Sequence, residues 1–243
     1  MIDNIINIIS NSVQSAMGQI FNSDRKRYYK LQEAFEVYYL AIVFSLLAVT
    51  SILILPFMKL YTAGADINYV DWKLMVLFGL YQLMSYGRVT SNQIISYAGA
   101  FRETRTAAIL EAVINLAVSL ICVFKFGIYG VLIGTVAALI YRSNDIILYA
   151  NRKIMKRSAW PTYRRWLIDF IIFIVLVAGF LQLPISLDSY VMFFLNAIWI
   201  TIVVFTVFVA INTAIEREAR ETAWMYLKNI LNKVIAKVKN NNT

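Results

Sequence analysis

Six largely apolar stretches, at residues 37–58, 72–97, 106–124, 128–150, 166–183 and 190–213, leave this chain few ways to fold. Each approaches or exceeds the length of about 20 residues that a helix needs to cross the hydrocarbon core of a bilayer. Inside lipid every backbone N–H and C=O must be satisfied within its own segment, so such stretches are helical. The expected fold is all-α: a polytopic transmembrane helical bundle of six clear spanning helices. A polar-striped N-terminal helix and a C-terminal basic amphipathic helix flank it. Composition agrees, because only 15% of the residues are charged against roughly a quarter in a soluble domain. The shortest stretch begins among Trp160, Tyr163 and Trp166, aromatic residues of the kind that sit at a membrane interface.

Charge orients the stretches. Of 23 Lys and Arg, eighteen fall in the segments 22–34, 98–105 and 151–165 and in the C-terminal tail. The connections on the other side hold only Lys59, Lys73 and Lys125, and Arg88 and Arg142 lie within spans. The positive-inside rule then places the three basic segments and the tail in the cytoplasm. A formal charge of +9 is explained by this arrangement and does not require nucleic acid as a partner.

The ends differ from the spans. Asp3, Asn7, Asn11, Gln14 and Gly18 form a polar stripe at helical spacing, opposite Ile2, Ile5, Ile6, Ile9, Val13 and Ile20. Two readings fit: a helix lying flat in the headgroups, or a crossing helix whose stripe faces a watery cavity. Residues 215–238 repeat Ala219, Ala223, Leu227, Ile230, Val234 and Val238 with lysines between them. That pattern suits a basic amphipathic helix anchored on anionic lipid, ahead of one that binds a partner protein.

The chemistry the chain lacks is as informative. It has no histidine and a single cysteine, Cys122, so histidine acid–base catalysis, zinc sites and an internal disulfide are not available to it. No enzymatic activity and no cofactor or metal are expected. The 59–71 connection offers a glycan polymerase or glycosyltransferase only Asp66 and Asp71 as acids. Polar groups inside the spans are another matter, because each intramembrane charge costs roughly 2.5–3.5 kcal/mol on insertion scales and so invites a functional explanation. Tyr81, Ser85, Arg88, Asn92 and Ser96 share one face of the second stretch by their spacing. Glu111 and Asn115 share a face of the third, and Arg142 and Asp145 share one of the fourth, continued by Thr135 and Tyr149. Two readings remain open. Arg142 could pair with Asp145 and Arg88 with Glu111, locking helices together. Alternatively Ser85, Arg88, Asn92, Glu111, Asn115, Arg142 and Asp145 line a cavity whose arginines meet an anionic headgroup, since the guanidinium fork suits phosphate. Gly127, Gly130 and Gly134 read as a small-residue packing seam. The last two spans carry few polar groups beyond Asp169, Gln182 and Asn196 and read as peripheral, lipid-facing helices.

Three segments carry a resemblance: 60–69 (Leu-Tyr-Thr-Ala-Gly-Ala-Asp-Ile-Asn-Tyr) after a span ending in Pro56-Phe-Met-Lys59, 126–135 (Phe-Gly-Ile-Tyr-Gly-Val-Leu-Ile-Gly-Thr) and 141–146 (Tyr-Arg-Ser-Asn-Asp-Ile). In this order, and with Gln14-Ser-Ala-Met-Gly18 ahead of Asp24-Arg-Lys-Arg27, the chain resembles the C-terminal half of polysaccharide-precursor (O-antigen, Wzx-type) flippases of the MATE/MOP superfamily. The resemblance runs from about residue 10 to the C-terminus. It implies that residues 1–150 form part of the C-terminal lobe, with the first helix in the eighth place of fourteen. Residues 151–243 would then supply two extra peripheral helices and the cytoplasmic tail.

The implied function is translocation of an undecaprenyl-pyrophosphate-linked oligosaccharide across the bacterial cytoplasmic membrane by alternating access, between two lobes that rock around a central site. Membrane lipids and that lipid-linked oligosaccharide are the implied partners. An N-terminal lobe, or a partner subunit in its place, would be needed to complete the cavity. Two other readings compete: a membrane scaffold or half-subunit docked on glycan-assembly proteins, and a fragment of a drug- or cation-exporting relative.

Overall fold

A computed structural model describes residues 2–63, 70–183 and 189–228. Residues 64–69, with Asp66 and most of the 60–69 resemblance segment, lie outside them, as does the tail beyond residue 228. The described residues form helices and no strand: α1 (Ile2–Ser23), α2 (Arg25–Tyr61), α3 (Trp72–Gly87), α4 (Val89–Tyr97), α5 (Phe101–Phe126), α6 (Ile128–Leu148), α7 (Trp160–Gln182) and α8 (Tyr190–Ile215). A π-helical turn, Tyr149–Ile154, extends α6. Residues 217–228 are helical again, after a break at Glu216. Five helices are long and apolar enough to cross a membrane: α2, α5, α6 with its π turn, α7 and α8.

The sixth expected span, 72–97, is two helices rather than one. Arg88 interrupts it between α3 and α4, with φ −83° and ψ −9°. Its N–H points to the Tyr86 carbonyl, which leaves the Met84 carbonyl without its usual partner four residues on. The Ser143 hydroxyl donates to that carbonyl at 3.0 Å. Tyr39 donates to the Tyr86 carbonyl at 3.2 Å and the Gln32 amide to the Thr90 carbonyl at 3.2 Å. Three side chains from two other helices thus satisfy backbone around the break, which makes it tolerable at membrane depth. Gly87 sits against the Trp166 indole, where a Cβ would collide with the ring.

The helix α2 is the axis of the bundle. Tyr39, Leu40, Val43, Phe44 and Leu47 are buried in one core with Leu83 and Tyr86 of α3, Ile172 of α7, and Ile200, Val204 and Phe208 of α8. A second core gathers Met17, Phe21, Tyr28, Ile94, Ile95, Ile146, Ala150 and Met155 around the first turns of α2. Those turns belong to the helix because Asp24 caps it, accepting from the Arg27 N–H at 3.0 Å. The basic 22–34 segment is therefore helical except at Asp24.

The helix α1 folds back antiparallel along this part of α2. Phe21 meets Tyr28 edge-on at 4.9 Å between ring centroids, and the Gln93 amide reaches the Ser10 carbonyl at 3.1 Å. Asp3, at the far end, accepts from the Tyr86 hydroxyl. Ile6, Ser10, Met17 and Phe21 are buried while Asp3, Asn7, Asn11 and Gln14 stay exposed. The helix α1 thus runs along the bundle axis, beside the first part of α2. It accompanies only the first half of α2.

The helix α5 packs against α6 at close range. A Cβ on Gly134 would strike Ser119, and one on Gly130 would strike the Cys122–Val123 backbone. At the start of α3 the Asp71 carboxyl accepts from the Lys73 and Leu74 N–H groups at 2.8 and 3.3 Å and from the Tyr129 hydroxyl. The Tyr129 hydroxyl, with the two amides, holds that carboxyl below its ordinary range.

The outside of the bundle is apolar. Val113, Leu116, Leu120 and Ile121 on α5, Ile171 and Val175 on α7, and Phe194, Leu195, Ile198 and Ile202 on α8 are all exposed. Such a continuous apolar surface is unfavourable in water and ordinary in lipid.

Candidate functional site

Arg88, Glu111 and Arg142 arrive at one depth by simple geometry. Arg88 lies sixteen residues after Trp72, Glu111 fifteen before Phe126, and Arg142 fourteen after Ile128. At 1.5 Å per residue these separations are all roughly 21–24 Å. The three side chains meet there. Arg88 Nη1 is 3.2 Å from Glu111 Oε1, and Arg142 Nε is 3.4 Å from Glu111 Oε2. Arg142 Nη1 is 2.7 Å from Asp145 Oδ2 and also donates to the Thr104 carbonyl at 3.3 Å.

The result is a chain of alternating charge, Arg88–Glu111–Arg142–Asp145, linking the α3/α4 break to α5 and α6. Its two cations balance its two anions, which lowers the cost of holding them in a membrane. The four members are not equivalent. Arg142 is buried and carries three contacts, so removing it would leave Asp145 without a partner and Glu111 with Arg88 alone. Arg88 is half-buried and reaches the single carboxylate Glu111. Its guanidinium has five donor hydrogens, so it keeps the greater spare capacity for an acceptor from outside the bundle.

The other predicted residues fall around this chain. Asn115 lies one turn along α5, where its Oδ1 accepts from Ser119 at 3.1 Å and from Thr135 at 3.5 Å. It belongs to the α5–α6 seam. Ser85 is half-buried on α3 and Asn92 is exposed on α4. Neither joins the charge chain.

A second ionic cluster was not foreseen. It lies where α2, α7 and the end of α8 converge. Arg157 reaches Glu33 at 2.5 Å and Glu36 at 3.5 Å; Arg165 reaches Glu36 at 3.0 Å and Glu216 at 3.4 Å; Arg164 also pairs with Glu216. Glu36 and Arg165 are both almost fully buried. Lys156, with φ +53°, turns the chain after the π turn so that Arg157 folds back, its Nε donating to Asn151 Oδ1 at 2.8 Å. The sequence carried a weak signal for this cluster: Glu33 and Glu36 stand at i, i+3 just ahead of an apolar run and after the basic Arg25–Lys30 turns. The outer faces of α7 and α8 are exposed, while Arg165 of α7 is tied to Glu36 of α2 and to Glu216 at the end of α8 by buried ion pairs.

No protein-family model, no curated protein and no solved structure matches this chain.

Proposed function

We propose that the chain is one lobe of a flippase that carries an undecaprenyl-pyrophosphate-linked oligosaccharide across the bacterial cytoplasmic membrane, with its C-terminus in the cytoplasm. The observation that carries this reading is Arg88, a permanently charged residue at a break in a membrane-depth helix, held by one carboxylate of a balanced chain. Discontinuous helices near the bilayer interior are where transporters commonly bind charged substrates. An arriving pyrophosphate would compete with Glu111 for the Arg88 guanidinium and transfer the mobile end of the ionic chain to the substrate. Arginine suits that exchange, because it binds phosphate and carboxylate with the same planar fork. The resemblance set out from residues 60–69, 126–135 and 141–146 supports the substrate class. The basic segments at one end of the bundle support the orientation.

The exposed polar stripe of α1 favours a lobe that faces a second lobe across a wet cavity, because Asp3, Asn7 and Asn11 are costly against lipid. The test is export of lipid-linked glycan in cells that depend on this chain. Arg88→Ala is expected to reduce export at least tenfold at normal protein level, since a charge-assisted hydrogen bond contributes about 1.5–3 kcal/mol and 1.4 kcal/mol is a factor of ten. Arg88→Lys is expected to retain part of it. Undiminished export by Arg88→Ala would return the charge chain to a purely structural role.

One observation favours a second reading. Every member of the charge chain already has a partner of opposite sign. A helix-locking scaffold that docks on glycan-assembly proteins would need no more than that. Under that reading Arg88→Ala weakens folding and assembly together and has no separate effect on export.

A further inference from the structure

Asp169 lies on α7 four residues beyond Arg165 and is fully buried. Its Oδ1 accepts from the Asn212 amide of α8 at 2.6 Å, and the same amide group donates to the Phe208 carbonyl at 3.0 Å. Its Oδ2 has no hydrogen-bond partner among the described residues. Arg165 precedes it by four residues on its own helix and pairs with Glu36 of α2 and with Glu216 after α8. Tyr38 and Tyr39 on α2 spend their hydroxyls elsewhere, on Thr213 and on the Tyr86 carbonyl.

Arg165 is already committed on both terminal nitrogens, to Glu36 and Glu216. In the whole cluster three arginines, Arg157, Arg164 and Arg165, stand against three glutamates, Glu33, Glu36 and Glu216. Asp169 is the fourth carboxyl, and it makes no ion pair among the described residues. An ionised carboxylate buried without a counter-charge is penalised by several kcal/mol, and such a group takes up a proton instead.

We propose that Asp169 is a proton-binding site, neutral while α7 and α8 are packed on α2 and deprotonated when that seam opens. The step is a plain acid dissociation: the carboxyl O–H bond breaks, its electron pair stays on Oδ2, and water admitted by the opening takes the proton. The proton is thereby linked to the position of α7 and α8 relative to α2. This inference does not depend on what the bundle carries.

The direct test is infrared spectroscopy of the full chain in lipid nanodiscs at neutral pH, compared with Asp169→Asn. The wild type is expected to show the carbonyl stretch of a neutral carboxylic acid, and the variant to lose it. Asn212→Ala is expected to move that band to higher frequency by removing the hydrogen bond to Oδ1. Absence of the band from the wild type, or its persistence in Asp169→Asn, would overturn the proposal. The second result would place the proton on another acid, Glu36 being the nearest candidate.

A stability readout gives a separate check. A group that holds its proton in the folded state but releases it when unfolded makes stability fall as pH rises above the ordinary aspartate range of about 4. The wild type is therefore expected to lose stability with rising pH relative to Asp169→Asn, which has no proton to lose at this position. Parallel pH profiles would count against the proposal. So would failure of Asp169→Asn to fold, because the amide reproduces the shape and acceptor of the neutral acid.

Discussion

Arg88 and Arg142 have the same side chain at the same depth, yet their surroundings predict opposite outcomes on substitution. Arg142→Ala leaves Glu111 with one partner and Asp145 with none, and it empties a buried position. Breaking a buried pair in this way typically costs about 3–5 kcal/mol. Arg88→Ala leaves no carboxylate of the chain alone, because Glu111 keeps Arg142, and should cost less. Denaturant or thermal unfolding in detergent would separate the two, and equal losses would mean that both arginines are structural. Lys156 offers a gain at the same scale. A non-glycine residue in the left-handed region costs roughly 1–2 kcal/mol, so Lys156→Gly should stabilise the turn, less the entropy that glycine adds to the unfolded chain. The pairing of these residues was partly legible in advance: Arg142 and Asp145 are separated by three positions, and Arg88 and Glu111 lie in neighbouring stretches with opposite sign. What the pattern could not supply was Arg142 bridging to Glu111 as well, because that contact depends on how closely α5 and α6 approach.

The approach is set by glycine, and here the element is the proper unit. Gly130 and Gly134 occupy one face of α6 at a spacing of four, against Cys122, Val123 and Ser119 of α5. Gly134→Leu would drive its side chain into Ser119 and push the helices apart, carrying Glu111 away from Arg142. Overpacking of this kind costs typically 1–3 kcal/mol, and the loss should exceed that of Gly79→Ala, where the added methyl meets nothing within 4 Å. Unfolding midpoints of the two variants give the comparison, and a Gly134→Leu as stable as the wild type would show that the seam can part freely. The seam was readable from spacing alone. The break between α3 and α4 was not, because the 72–97 stretch contains no proline and its only internal glycines, Gly79 and Gly87, are compatible with a packed helix. It is sustained by Ser143, Tyr39 and Gln32, which come from other helices, and a one-dimensional pattern has no record of such donors. Helix ends were also underestimated for a physical reason. Hydropathy marks the lipid-buried part of a helix, whereas α2 continues about three turns further as a polar helix sheathed by α1 and α4.

At the scale of the whole molecule, the two ends of the bundle differ sharply. One end holds the short connections near Lys59, Lys73 and Lys125. The other holds the polar half of α2, the π turn, and the arginines and lysines from Arg25 to Lys30 and from Arg152 to Arg165. Moving such a cluster across a bilayer is opposed by each of its charges, so the basic end should stay in the cytoplasm. Single-cysteine labelling can check this cleanly, because Cys122 is the only native thiol and Cys122→Ser removes the background. In that variant a cysteine at Lys125 should react with a membrane-impermeant maleimide added to intact cells. A cysteine at Lys153 should react only in inverted vesicles. The α1 helix makes the experiment sharper. It runs antiparallel to α2 from the basic end and reaches Tyr86 with Asp3, so Asn11, exposed midway along it, samples whatever medium bathes the stripe. If the stripe faces a wet cavity, a cysteine at Asn11 should also be labelled in inverted vesicles, and glycan substrate should slow that labelling. A cysteine there that resists the reagent from both sides would put the stripe against lipid or protein, and the two-lobed reading would lose its support from α1.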